Sequence, residues 1–375
     1  MAGIYIHIPF CKQACNYCNF HFSTNLSYRQ EMTASICEEI ERQQHYLKGA
    51  PIETIYMGGG TPSVLSPNEL NQIFLQLDKT FNIASAQEIT IEANPDDLDE
   101  DFLEYLKSDS PINRLSIGVQ SFHEEELKFM NRAHNAKEAF TSIEKARQYD
   151  FQEFSVDLIY GSPLSSMKSW EANLNTLLEL NIPHISCYCL TVEEKTALAH
   201  QIKKGLTQAP LEKDASDQFL FMQAFFEKHQ YIQYEISNIA LEGHFAKHNS
   251  NYWKGIPYLG IGPGAHSFNG EDRQWNISNN ALYMKNIENK IQHFEIEKLE
   301  EKDRYNEYVM TGLRTIWGIE EKNLKQFDEK IFAHFNKLIS PHIKNGNIIN
   351  NGGFYALQPE AKLRADAIAS DLFLI

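Results

Sequence analysis

Three of the chain's six cysteines, Cys11, Cys15 and Cys18, fall in one short run with the spacing Cys-x-x-x-Cys-x-x-Cys. In a reducing compartment such a run points to metal binding before disulfides. It follows directly on a β-rich segment, so a single loop carries all three sulfurs. Iron–sulfur clusters usually take four cysteines. Three leave one iron with an open position, where an exchangeable ligand or chemistry belongs. A zinc knuckle completed by His7 or His21 is the alternative. Cys37, Cys187 and Cys189 read as small buried apolar side chains.

The elements that must position this loop are six short β-rich runs, at 4–8, 54–57, 88–92, 114–119, 153–158 and 185–189. Between them lie stretches with the apolar spacing of helices, at 28–46, 68–81, 99–106, 124–149 and 170–180. Alternating strands and helices predict an α/β fold with parallel pairing, in either an open barrel or a doubly wound sheet. Position favours the barrel. The cysteine loop, the Gly58-Gly59-Gly60-Thr61-Pro62 turn, Glu92, Gln120 and Asp157 each lie at or just past a strand's end, where barrel sites are built. The glycines let backbone approach a ligand closely, and Thr61 adds a hydroxyl. Glu92, ending an apolar strand, is a buried carboxylate in need of a partner.

Taken together, these features resemble the radical S-adenosylmethionine (SAM) superfamily, whose members hold a [4Fe-4S] cluster on a CxxxCxxC loop and let SAM bind the fourth iron. Tyr-Ile-His-Ile-Pro-Phe-Cys at 5–11, Gly-Gly-Gly-Thr-Pro at 58–62, Ile-Glu-Ala-Asn-Pro at 91–95, Ser-Ile-Gly-Val-Gln-Ser-Phe at 116–122, Asn-Arg-Ala-His at 131–134 and Asp-Leu-Ile-Tyr-Gly-Ser-Pro at 157–163 are similar to one branch of it. That branch contains oxygen-independent coproporphyrinogen III oxidase and the HemW-type heme chaperones. The resemblance spans nearly the whole chain. It implies that Cys11, Cys15 and Cys18 hold the cluster, and that Tyr5, Tyr17, Gly59, Gly60, Thr61, Glu92, Gln120, Arg132 and Asp157 contact SAM. Arg132 then suits the SAM carboxylate and Asp157 the ribose hydroxyls. The chemistry implied is one-electron cleavage of SAM to methionine and a 5′-deoxyadenosyl radical. The fold implied is an incomplete (β/α)6 barrel over 1–235, a connecting region over 236–300 and a C-terminal accessory domain over 301–375. Within the second part, 243–269 reads as a Gly/Asn/His-rich loop region. The last part combines helices with a hairpin turning at 351–353, a partly winged-helix-like shape.

Two departures separate the chain from the oxidase. Phe20 stands where the oxidase carries a fourth cysteine, and only ten residues precede Cys11, where the oxidase has a long N-terminal segment. A third feature is positive: His248-Asn249-Ser250-Asn251-Tyr252-Trp253 fits the HNxxYW motif of HemW-type chaperones. Histidine is a common axial ligand of heme iron, and Tyr252 and Trp253 offer flat amphipathic faces to a porphyrin. His266 is a second candidate ligand. The expectation is a cytosolic heme chaperone that passes heme to an acceptor protein, with transient membrane contact if that acceptor lies in a membrane complex. A homodimer is left open. The alternative is oxidative decarboxylation of coproporphyrinogen III.

Composition fits this expectation. Against 50 Asp and Glu stand 34 Lys and Arg, a net charge of −16 that opposes general affinity for nucleic acid. A local basic pocket for a small anion is compatible with it. Hydrophobic residues at 42% supply an ordinary globular core, no run approaches a membrane span, and residues 1–10 lack a signal-peptide pattern.

Overall fold

The computed structural model describes residues 1–375. Six strands, β1 (Ala2–Ile8), β2 (Ile52–Gly59), β3 (Glu88–Ala93), β4 (Arg114–Gln120), β5 (Phe154–Tyr160) and β6 (His184–Cys189), pair in parallel in chain order. The crossovers carry helices α1 (Arg29–Arg42), α2 (Pro67–Phe81), α3 (Glu100–Ser108), α4 (Glu124–Phe129), α5 (Ala136–Gln148) and α6 (Met167–Glu179). Their starts are written locally. Ser66 with Glu69 and Asn135 with Glu138 form reciprocal capping boxes at α2 and α5, and Pro67 takes the first turn of α2 where no N–H is needed.

Each strand alternates. Ile4, Ile6 and Ile8 of β1, Ile55 and Met57 of β2, Ile89 and Ile91 of β3 and Leu115 and Ile117 of β4 join helical residues such as Ile36, Ile40 and Ile73 in one core of 55 buried residues. The intervening positions carry Tyr5, His7, Tyr56, Glu92, Ser116, Asp157 and Ser186. Parallel strands covered on both faces usually read as continuous apolar runs. A period of two, with polar residues on the concave side, marks instead a lumen kept for a ligand.

The chain departs from expectation in two stretches. The helix expected over 124–149 is broken between α4 and α5, where Asn131 takes φ of 57° and Asn135 caps a new helix. The break delivers Arg132 to the strand ends. The region 243–269, expected as loop, carries helix α9 (Lys247–Trp253), following α7 (Ala197–Lys203) and α8 (Glu212–Lys228), and strands of the main sheet. After β7 (Ile232–Gln233) and β8 (Asn238–Ala240), β9 (Tyr258–Ile261) pairs in parallel with β1, and β10 (His266–Phe268), β11 (Asp272–Asn276) and β12 (Phe294–Lys298) extend the sheet antiparallel. The twelve-stranded sheet therefore runs β12-β11-β10-β9-β1-β2-β3-β4-β5-β6-β8-β7 and stays open.

A second core of 15 buried residues, among them Tyr305, Leu313, Phe335, Ile339 and Tyr355, holds the C-terminal part. Its sheet joins β13 (Ile319–Glu320), β14 (Ile348–Asn350) and β15 (Phe354–Leu357) in the order β13-β15-β14. The β14–β15 hairpin turns through Gly352 and Gly353, both at positive φ, as Asn351 to Gly353 predicts. The strand β13 has only two residues and leaves no pattern in the sequence. No helix is long and apolar enough to cross a membrane.

Candidate functional site

The cysteine loop leaves the end of β1 and is fastened at several points. The Cys11 N–H donates to Ser23 O at 3.1 Å, and the Ser23 N–H donates back to Pro9 O at 2.9 Å. From the other side, the Asn16 N–H and Nδ2 reach Met130 O (3.0 Å) and Phe129 O (2.7 Å), while Asn131 Nδ2 reaches Ala14 O at 2.7 Å. The break between α4 and α5 thus braces the loop. All three sulfurs line one pocket of about 430 Å³. Thr61 Oγ1 donates to Cys11 Sγ at 3.4 Å and Arg132 Nη1 to Cys15 Sγ at 3.2 Å. Burial pushes the Cys11 thiol up to about 11, against the pull of the Thr61 hydroxyl. No three His, Cys, Asp or Glu side chains gather closely enough for a single metal ion. A cluster distributes its thiolates over separate irons and needs a wider arrangement.

The same pocket collects Tyr17, Gly59, Gly60, Thr61, Glu92, Gln120, Arg132 and Asp157 from the ends of successive strands. Glu92 accepts from Tyr56 Oη at 2.8 Å and the Gly59 N–H at 3.2 Å, and burial raises it to about 7. Asp157 is raised by burial to about 6, and its Oδ1 has no partner. Arg132 spends Nη2 on Asn94 Oδ1 (2.6 Å) and Gly118 O (2.7 Å), but its Nε is buried and unpaired. Gln120 ends β4 at φ of 69°, a backbone state that side chains rarely adopt and that tends to persist at sites. Two carboxyls held up by burial, with one oxygen unpaired, call for a ligand bearing positive charge and hydroxyls.

One expectation gains a second cause here and another needs correction. The glycines of the 58–62 turn are demanded by the chain itself: a Cβ at Gly59 would lie 2.3 Å from His7 Nδ1, and one at Gly60 would lie 2.5 Å from Phe10 O. Tyr5 is not in the pocket. Its hydroxyl meets His7 Nδ1 at 3.1 Å, its ring stacks on Tyr56, and it faces a neighbouring cavity.

That second cavity, of about 1410 Å³, meets the first at Asn19 and Phe20 and is bounded by the β9–β11 end of the sheet and the C-terminal part. Tyr252, Trp253, Tyr258, Phe268 and Trp317 form aromatic walls. Lys195, Lys254, Arg273 and Arg304 stand on it against Glu307 and Glu320. Glu307 is already spent on Arg273 at 2.6 Å and Glu320 on Lys322.

His248 stands apart, and the expectation that it is an axial ligand of heme iron is corrected. It is 2% exposed. Its Nδ1 pairs with Thr54 Oγ1 at 2.8 Å and its Nε2 with the Tyr252 hydroxyl at 2.9 Å, so neither nitrogen is open to iron. Burial lowers it to about 3. Its backbone N–H and that of Lys247 both donate to the Glu88 carboxylate, at 2.8 Å each. His248 therefore fixes α9 to β2 and β3 and, through its ring, sets Tyr252. The motif splits: Tyr252 and Trp253 line the second cavity, and His248 holds them there.

The radical SAM superfamily model matches residues 5–177. The heme chaperone HemW of Bacillus subtilis is 32% identical over 372 residues, 98% of this chain and 98% of that protein. The chain belongs to the HemW family. HemW of Escherichia coli is 36% identical over 273 residues, 70% of this chain and 69% of that protein. The solved coproporphyrinogen III oxidase of Escherichia coli, a radical SAM enzyme, superposes with a TM-score of 0.86 over 99% of this chain and 90% of that one. At 22% identity that likeness is one of fold.

Membership of the radical SAM superfamily implies a [4Fe-4S] cluster and SAM, and the pocket of this HemW-family chain fits both. Cys11, Cys15 and Cys18 would hold the cluster. The unpaired Asp157 Oδ1 suits ribose hydroxyls, the unpaired Arg132 Nε a carboxylate, and Glu92 an ammonium. When bound, the pair supplies one-electron cleavage of SAM. Tyr56 and Asn94, which orient Glu92 and Arg132, escaped the sequence reading, although Tyr56 shares the inward period of Thr54 and Gly58 on β2. A pH effect follows. With Glu92 at about 7, cation binding must drive off a proton at lower pH. SAM affinity is therefore expected to rise by up to about tenfold per pH unit toward neutrality and then level off. Glu92→Gln flattens that rise to the weaker one below about 6 that belongs to Asp157, as equilibrium dialysis across pH measures. An unchanged slope in the variant contradicts the assignment.

Proposed function

We propose that the chain is a heme carrier: it holds heme in the second cavity and passes it to an acceptor protein, with the [4Fe-4S] cluster and SAM in the adjoining pocket. The observation that carries the reading is the cavity itself. Aromatic walls meet four cations and two carboxylates, a local excess of positive charge in a chain of net charge −16. Lys195, Lys254 and Arg304 make no ion pair, so they are free to meet the two propionates of heme. Lys254 lies 4.2 Å from the centre of the Trp317 ring, which joins the apolar wall to the charged one. The HemW names of the similar proteins support the same reading. Heme carried in this way leaves with its porphyrin unchanged. Anaerobic transfer from the loaded chain to apomyoglobin, followed by the Soret band, tests this.

A further inference from the structure

Heme held in an aromatic, cationic cavity still needs a donor atom for its iron, and the walls offer several that are already spent. His7 uses both ring nitrogens, on Tyr5 Oη (3.1 Å) and His21 O (2.9 Å). His21 is spent at one nitrogen only: its Nε2 pairs with Asn280 Oδ1 at 2.7 Å, and its half-buried ring lies against His7. The hydroxyls fare alike: Tyr252 Oη is paired with His248, Tyr308 Oη accepts from the Glu320 N–H and Asn323, and Tyr258 Oη accepts from Arg273. His266 differs from all of these. It begins β10, is exposed to the cavity, and has no hydrogen bond on either ring nitrogen. Its ring stacks beside Trp275, its partner across the β10–β11 ladder, at 6.2 Å, which orients it without occupying a nitrogen.

We propose that His266 supplies the axial nitrogen to the iron of heme bound in the second cavity. The inference rests on the proposed carrier function and makes it specific. One Fe–N bond forms and a weaker ligand, water, leaves; no electron is transferred. Partial burial and the nearby Arg273 hold the imidazole below its ordinary value, so it is neutral and ready to bind metal. The loop before His266 is fixed from behind: Glu39, fully buried on α1, accepts from the Gly262 N–H at 2.8 Å, and the Gly260 N–H donates to Ser267 Oγ at 2.9 Å. The imidazole thus stands on a rigid support.

The test titrates two probes, ferric heme and metal-free protoporphyrin IX, into wild type, His266→Ala, His266→Cys and His248→Ala. Wild type is expected to show a histidine-ligated Soret and electron paramagnetic resonance signature. In His266→Ala that signature is lost and heme affinity falls at least about tenfold, while protoporphyrin IX, which has no iron to ligate, binds as before. Retained protoporphyrin binding also shows that the variant is folded. His266→Cys is expected to give a thiolate-type spectrum, because the ligand follows the substituted residue. His248→Ala loosens Tyr252 and so weakens binding of both probes alike, but the heme it binds keeps the histidine signature, because the ligand is unchanged. If His266→Ala keeps the wild-type signature, the ligand assignment is overturned while the carrier reading stands. If wild type binds neither heme nor protoporphyrin IX, the carrier reading fails and takes the ligand assignment with it.

Discussion

After cluster reconstitution, Cys15→Ser is expected to retain only traces of iron, against about four atoms per chain in the wild type. It should nevertheless bind protoporphyrin IX as the wild type does. The first half follows from the thiolate count, since three sulfurs line the pocket and the loss of one leaves a second iron without a protein ligand. The second half follows from the architecture. No cysteine lines the second cavity, and the loop's fastening through Ser23, Met130 and Asn131 uses backbone and asparagine groups that the substitution leaves in place. Iron and sulfide analysis beside a fluorescence titration reads both halves. Loss of porphyrin binding together with the iron would mean that the cavities are not separate.

Glu39→Ala is expected to lower stability by about 3–5 kcal/mol, the usual cost of removing one member of a buried charged network. Glu39 is 0% exposed. It accepts four bonds: from the Gly262 N–H at 2.8 Å, Tyr283 Oη at 2.6 Å, Asn276 Nδ2 at 2.7 Å and His293 Nε2 at 2.8 Å. These partners come from the loop after β9, the strand β11, the helix Asn280–Glu288 and the segment before β12, so one carboxylate ties α1 to the whole added end of the sheet. Alanine leaves four buried donors unanswered. Glu39→Gln, which keeps the shape and an acceptor, should cost less. Chemical denaturation of the three proteins measures the order, and a Glu39→Ala midpoint equal to that of the wild type contradicts the account.

How much of this was legible in the sequence depended on whether a pattern was local. The six strands of the lumen could be read because each alternates within its own few residues, and the cysteine loop because its spacing is contiguous. The α4–α5 break was legible in part: Asn135-x-x-Glu138 is a capping-box pattern that starts a new helix, while the backbone state of Asn131, which ends the first helix, left no pattern of its own. The HNxxYW motif could be read but its geometry could not. Thr54 and Glu88, on other strands, decide that His248 is buried and paired. Glu39 left a faint trace, an acidic residue on the face of α1 that also carries Met32, Ile36 and Ile40. The second cavity was legible only at Tyr252, Trp253 and His266; its charged wall left no trace, since Lys254, Arg273, Arg304 and Trp317 meet only after the C-terminal part has docked beside β9–β11.

The central claim is that heme is cargo in one cavity while SAM occupies the other. Its most direct test loads the cluster-reconstituted chain with one equivalent of heme under anaerobic conditions, adds SAM and reductant, and then adds apomyoglobin. The account predicts that heme stays bound when SAM is added, appears in myoglobin with its porphyrin unaltered, and that coproporphyrinogen III supplied in parallel releases no carbon dioxide. Displacement of heme by SAM, or carbon dioxide released from coproporphyrinogen III without any heme transfer, would contradict it.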